Sequence, residues 1–185
     1  MDSYKFKIYL QCILIKKILD ATKENLNQLD IEKCLGIIKA LIKQNIPERI
    51  LESINIIISY GFYENYIVTS YMIPAQIESL LLKLFKDDGN NIDIYKDGNL
   101  TEEINISSLL NNRDQFNKLK EIFERKKMDI EILYNLQYLF KHDNLRNDIY
   151  HSKCKDLELR NSTGMYLWYI FIYFLYNMFN NQNIK

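Results

Sequence analysis

Pro74-Ala75-Gln76-Ile77-Glu78-Ser79-Leu80-Leu81-Leu82-Lys83-Leu84-Phe85 decides the fold class. Proline pre-sets the first turn of a helix, and the run after it has helical rhythm with no breaker before Lys86. Upstream, Gly61 is expected to end a helix that begins after Pro47 and runs from Glu48 to about Tyr60. Tyr63 to Met72 then forms a tyrosine-rich segment leading to Pro74. Earlier still, Asp30 caps a run in which Cys34, Leu35, Ile37, Ile38, Leu41 and Ile42 recur at helical spacing, and Asn45 closes it. Tyr4 to about Leu19 reads as an amphipathic helix.

Downstream the texture changes between Asp87 and Leu100. Gly89-Asn90-Asn91 makes a turn, and Ile92-Asp93-Ile94-Tyr95 alternates before Asp97-Gly98, which fits a small β-hairpin or an ordered loop near 87–100. Helical signals resume at Ser107 to Leu110. From Asp114 to Lys127, Phe116, Leu119, Ile122 and Phe123 share a face. A further helix follows Asp129 and reaches His142, and the last runs from about Thr163 to Asn180. Neither a repeat nor a Pro- or Ser-rich linker divides the chain. The expectation is an all-α helical bundle in a single domain, 1–185, with N-terminal helices over 1–72.

Composition narrows the function classes. Lys plus Arg equals Asp plus Glu at 24 each, so any contact with nucleic acid must use a local patch. The 3 cysteines, Cys12, Cys34 and Cys154, are far apart and form no metal knuckle; they read as reduced thiols of a cytoplasmic protein. Neither metal nor cofactor is implied. Met165 to Tyr176 falls short of the ~20 apolar residues that span a bilayer and reads as a buried helix, so no membrane partner is expected. No secretory signal is read at the N-terminus.

Titratable side chains concentrate in Asp143-Asn144-Leu145-Arg146-Asn147-Asp148-Ile149-Tyr150-His151, which holds one of the 2 histidines. On a helix Asn147 and His151 share a face, as do Arg146 and Tyr150. Arg146 and His151 are rotated by ~140° and cannot lie on one line. RNA scission through the ribose 2′-hydroxyl needs a base, an acid and positive charge on the phosphorane. One histidine does not easily fill both proton roles. Two copies of His151 from a symmetric dimer would, with two Arg146 forks on the phosphate oxygens. Histidine suits the task because its ordinary pKa near ~6.5 leaves both protonation states accessible.

Leu145-Arg146-Asn147-Asp148-Ile149-Tyr150-His151 resembles the Arg-Asn-x-x-x-His signature of HEPN domains. The order of Pro74 to Leu81, then Ile106-Ser107-Ser108-Leu109-Leu110, then the motif is similar to that of an uncharacterised bacterial HEPN-like family. This pattern covers about the last 115 residues. The resemblance implies an HEPN-like bundle over 73–185 that pairs so that two motifs meet. Activity would be that of a metal-independent endoribonuclease of toxin–antitoxin or phage-defence systems. The catalytic residues would be Arg146, His151 and Asn147, with Lys153, Lys155 and Tyr150 binding substrate. Partners would be RNA, a second copy, and an antitoxin or other regulatory protein. Two positions depart from the relatives: Ser152 stands where glycine often follows the histidine, and Lys153 where adenylylated toxins carry tyrosine.

Plainer readings stand beside these. His151 read alone is a structural histidine held by Asn147 or Asp148, and Arg146 a helix-start residue paired with Asp143 or Asp148. His142 reads as a helix-end charge. Glu78 is a candidate for orienting Arg146, though a solvent-facing position is favoured. Arg125-Lys126-Lys127 extends a basic track or is a solvated helix end. Tyr166, Trp168, Tyr169, Phe171, Tyr173, Phe174 and Tyr176 cover all sides of the last helix, so core and dimer interface come before base stacking. A non-catalytic HEPN-like module that binds RNA or protein is the alternative to the nuclease.

Overall fold

The computed structural model describes residues 36, 39, 46–96, 100–142 and 157–180. The helix expected over Tyr4 to Leu19 lies outside them. Of the helix expected from Asp30, Gly36 and Lys39 are described, and both are helical. Helices carry the fold, which is all-α in class: α1 Glu48–Phe62, α2 Tyr66–Asp87, α3 Ile106–Asn111, α4 Arg113–Arg125, α5 Glu131–Gln137 and α6 Leu157–Asn180. Between α2 and α3, β1 (Asp93–Lys96) and β2 (Leu100–Glu103) pair antiparallel as a two-stranded ribbon, with Asp93 opposite Glu103. The chain divides into two units, one of Met1–Ile73 with Cys154–Leu175 and one of Pro74–Lys153 with Tyr176–Lys185.

In the first unit α1 starts where Pro47 turns from extended backbone (φ −55°, ψ 139°) into the helix. Ile54, Ile57, Ile58 and Gly61 form its buried face. Gly61 does not end α1, contrary to the expectation from its type; the helix continues to Phe62. The indole of Trp168 occupies the space beside it: a Cβ on Gly61 would lie 1.9 Å from Nε1. That nitrogen donates to the Ile57 carbonyl at 3.2 Å, and the ring meets Phe62 edge-on at 5.2 Å. Glycine here is a packing requirement. Gly164 of α6 plays the same part against α2, where a Cβ would stand 2.3 Å from the Tyr66 carbonyl oxygen.

Helix α2 also departs from the expected start at Pro74. It begins at Tyr66 and passes through the proline, which is buried. Proline within a helix costs ~3 kcal/mol or more, through a lost hydrogen bond and a clash with the preceding turn. Each buried aliphatic side chain returns ~1.5–3 kcal/mol, and Ile73, Ile77, Leu80, Leu81 and Leu84 are all buried. The burial outweighs the break.

In the second unit, side-chain caps fix where the short helices begin. Asn105 accepts from the Ser108 N–H at 2.9 Å, and Asn112 from Asp114 and Gln115 at 3.0 and 3.2 Å. Helix α4 buries Phe116, Leu119, Ile122 and Phe123, the face expected from their spacing. It ends at Arg125 with Lys126 as its cap, and Lys127, whose φ is 54°, reverses the chain while the Met128 N–H donates to the Phe123 carbonyl at 2.8 Å. Asn177, the polar interruption in the apolar run of α6, is buried and accepts the Asp129 N–H at 3.1 Å. Helix α6 buries most of its circumference, with Tyr169 and Tyr176 exposed. Among the described residues no helix is long and apolar enough to cross a membrane.

Candidate functional site

Arg146, Asn147, Tyr150, His151, Lys153 and Lys155 lie outside the described residues. The structure describes the elements on either side. α5 passes directly into a π-helical turn, Tyr138–His142, and α6 begins at Leu157. Tyr138, Leu139 and Phe140 of that turn are buried. A π-helical turn widens the backbone by one residue and re-aims the chain beyond it; such turns recur beside functional sites. Here it stands immediately before Asp143 and the Arg146 to His151 segment.

Two long-range bonds hold the frame that leads into this segment. Glu78, half-buried on α2, accepts the Ile106 N–H at 2.9 Å. This N–H is one of the orphan donors that open a helix, and a carboxylate at a helix N-terminus is favoured by the helix dipole as well. The solvent-facing position favoured for Glu78 is therefore corrected: its carboxylate is turned onto the start of α3. At the other end of α3, Gln137 Nε2 donates to the Leu110 carbonyl at 2.6 Å. Hence Pro74 to Leu81 meets Ile106 to Leu110, and Ile106 to Leu110 meets the helix before the motif. Nothing in the residue spacing marked this role for Glu78; the available signal was that the Asn105-Ile106-Ser107-Ser108 helix start needs acceptors.

Replacing Glu78 with alanine removes the acceptor from a part-buried N–H. The expected loss is ~1–2 kcal/mol, read as a lower urea midpoint with an unchanged slope. Glu78→Gln, which keeps an acceptor oxygen, should lose less.

The basic run is mostly spoken for by its own unit. Arg125 pairs with Asp88 across 37 positions of sequence, and Lys126 and Lys127 form the end of α4. Lys120 lies 5.6 Å from the Tyr134 ring centroid, and that ring meets Phe116 edge-on at 5.8 Å. Among the described residues no three His, Cys, Asp or Glu side chains gather so as to hold a metal ion. No family model, curated protein or solved structure matches the chain.

Proposed function

We propose that the chain is a cytoplasmic, metal-independent endoribonuclease of HEPN type that works as a homodimer in toxin–antitoxin or phage defence. The observation that carries this reading is the Arg146-Asn147-x-x-x-His151 motif, set between a π-helical turn and a long helix of an all-α chain. The bonds from Glu78 to Ile106 and from Gln137 to Leu110 support it, since they join the earlier sequence blocks that accompany the motif.

The chemistry is set by the residue types. One His151 takes the proton of the 2′-hydroxyl as its oxygen bonds to phosphorus. The P–O5′ bond breaks, and the other copy's His151 gives a proton to the leaving oxygen. Both Arg146 guanidinium groups neutralise the charge gathering on the phosphorane. Asn147 orients the imidazole or binds substrate, and Tyr150, Lys153 and Lys155 engage the RNA chain. Products carry a 2′,3′-cyclic phosphate and a 5′-hydroxyl.

The test is incubation of purified protein with mixed RNA in the presence of chelator. Cyclic-phosphate ends support the proposal. Tight RNA binding without new ends overturns it in favour of a non-catalytic HEPN-like module that binds RNA or a partner protein, a reading favoured by the balance of 24 basic and 24 acidic residues.

A further inference from the structure

The solvent face of α1 carries an unusual order of side chains. Arg49, Glu52, Ile56, Tyr60 and, at the helix end, Tyr63 are all exposed. At 100° per residue they fall within a stripe ~80° wide, opposite the face that buries Ile54, Ile57 and Ile58. Large hydrophobic side chains exposed among the described residues are Ile56, Tyr60, Tyr63, Tyr169 and Tyr176, with Tyr63 the most open at 65%. Three of these share the α1 stripe, so it is a patch and not the scattered exposure that needs no explanation.

The stripe is self-complementary about Ile56. Positions equally distant from it pair as Glu52 with Tyr60 and Arg49 with Tyr63, and the flanking half-buried Ser53 pairs with Ser59. From this order we infer that α1 packs antiparallel against α1 of a second copy of this chain, about a two-fold axis at Ile56. Ile56 then meets its own counterpart, and small Ser53 and Ser59 let the helices approach. The Tyr60 hydroxyl donates to the Glu52 carboxylate. The Arg49 guanidinium covers the Tyr63 ring face. A two-fold axis brings every such contact in duplicate. A partner of unrelated sequence would have to supply the complement, whereas a second copy already does.

One helix stripe covers less than the ~800 Å² per partner of a stable interface, so association should be weak and depend on concentration. The inference does not rest on the nuclease reading, and its experiment contains no RNA. Sedimentation velocity across a concentration series should show the mass of the full chain rising with concentration as α1 pairs, over and above any pairing through the proposed composite site. Ile56→Asp and Ile56→Lys, each at an exposed position, should lose that rise with unchanged melting temperature, because like charges would meet at the axis. An equimolar mixture of the two should regain it, since residue 56 of one copy faces residue 56 of the other. A wild-type mass that does not rise with concentration, a rise untouched by either variant, or a mixture that fails to regain it would each overturn the inference.

Discussion

His151→Ala should lower the rate of RNA cleavage in chelator by ~100-fold or more, the contribution expected of a positioned general acid or base. The dependence on mixing is sharper than the single variant. If both proton transfers in one site come from two copies of His151, every mixed dimer lacks one of them. Adding the alanine protein to wild type should then reduce activity roughly as the square of the wild-type fraction. A linear decline would mean independent sites and would remove the composite dimer from the mechanism. Arg146→Lys keeps the charge but loses the planar fork that binds two phosphate oxygens, so its activity should fall between wild type and Arg146→Ala. Retention of the melting temperature in each variant separates lost chemistry from lost fold. If His151→Ala cuts as well as wild type, the nuclease assignment is withdrawn while the all-α fold stands.

Gly164→Ala should destabilise the protein although it places a better helix former inside a helix. Propensity alone predicts a gain of ~1 kcal/mol. Against that, the new Cβ would lie 2.3 Å from the Tyr66 carbonyl oxygen, a backbone atom of α2 that cannot rotate away as a side-chain end can. Overpacking of this kind costs ~1–3 kcal/mol, occasionally more. The expected net loss is up to ~2 kcal/mol, or a melting temperature lower by up to ~8 °C for a chain of this size. Gly61→Ala should act in the same direction by displacing the Trp168 indole and breaking its bond to the Ile57 carbonyl. The internal control is Gly36→Ala: this glycine is helical and exposed, with nothing within 4 Å of a Cβ, so propensity should act unopposed and raise stability. Equal signs at Gly36 and Gly164 would refute the packing argument.

Periodicity carried the helices whose stability is local or whose apolar face is continuous. Phe116, Leu119, Ile122 and Phe123 recur at helical spacing and are buried together on α4. Asn105 and Asn112 cap α3 and α4 through bonds to N–H groups two or three residues on, a local signal that the expected starts at Ser107 and Asp114 do not include. Met165 to Tyr176 likewise reads as a buried helix on sequence grounds and is largely buried, with Tyr169 and Tyr176 exposed. The motif containing Arg146 and His151 is legible as chemistry for the same reason: its residue types and spacing are local properties.

What tertiary structure alone decided depends on partners distant in sequence. Gly61 and Pro74 look like breakers, yet both lie inside helices, because Trp168 requires the missing side chain at one and a buried apolar ridge offsets the proline at the other. Glu78 looks like a surface carboxylate, yet it opens α3 from 28 residues away. The π-helical turn before Asp143 has no residue signature. By itself, then, the sequence determined the all-α class and the residue types that could do chemistry. Folding decided which apparent breaks are contacts, since a contact's free energy belongs to both of its partners and only one of them is visible in any local stretch of chain.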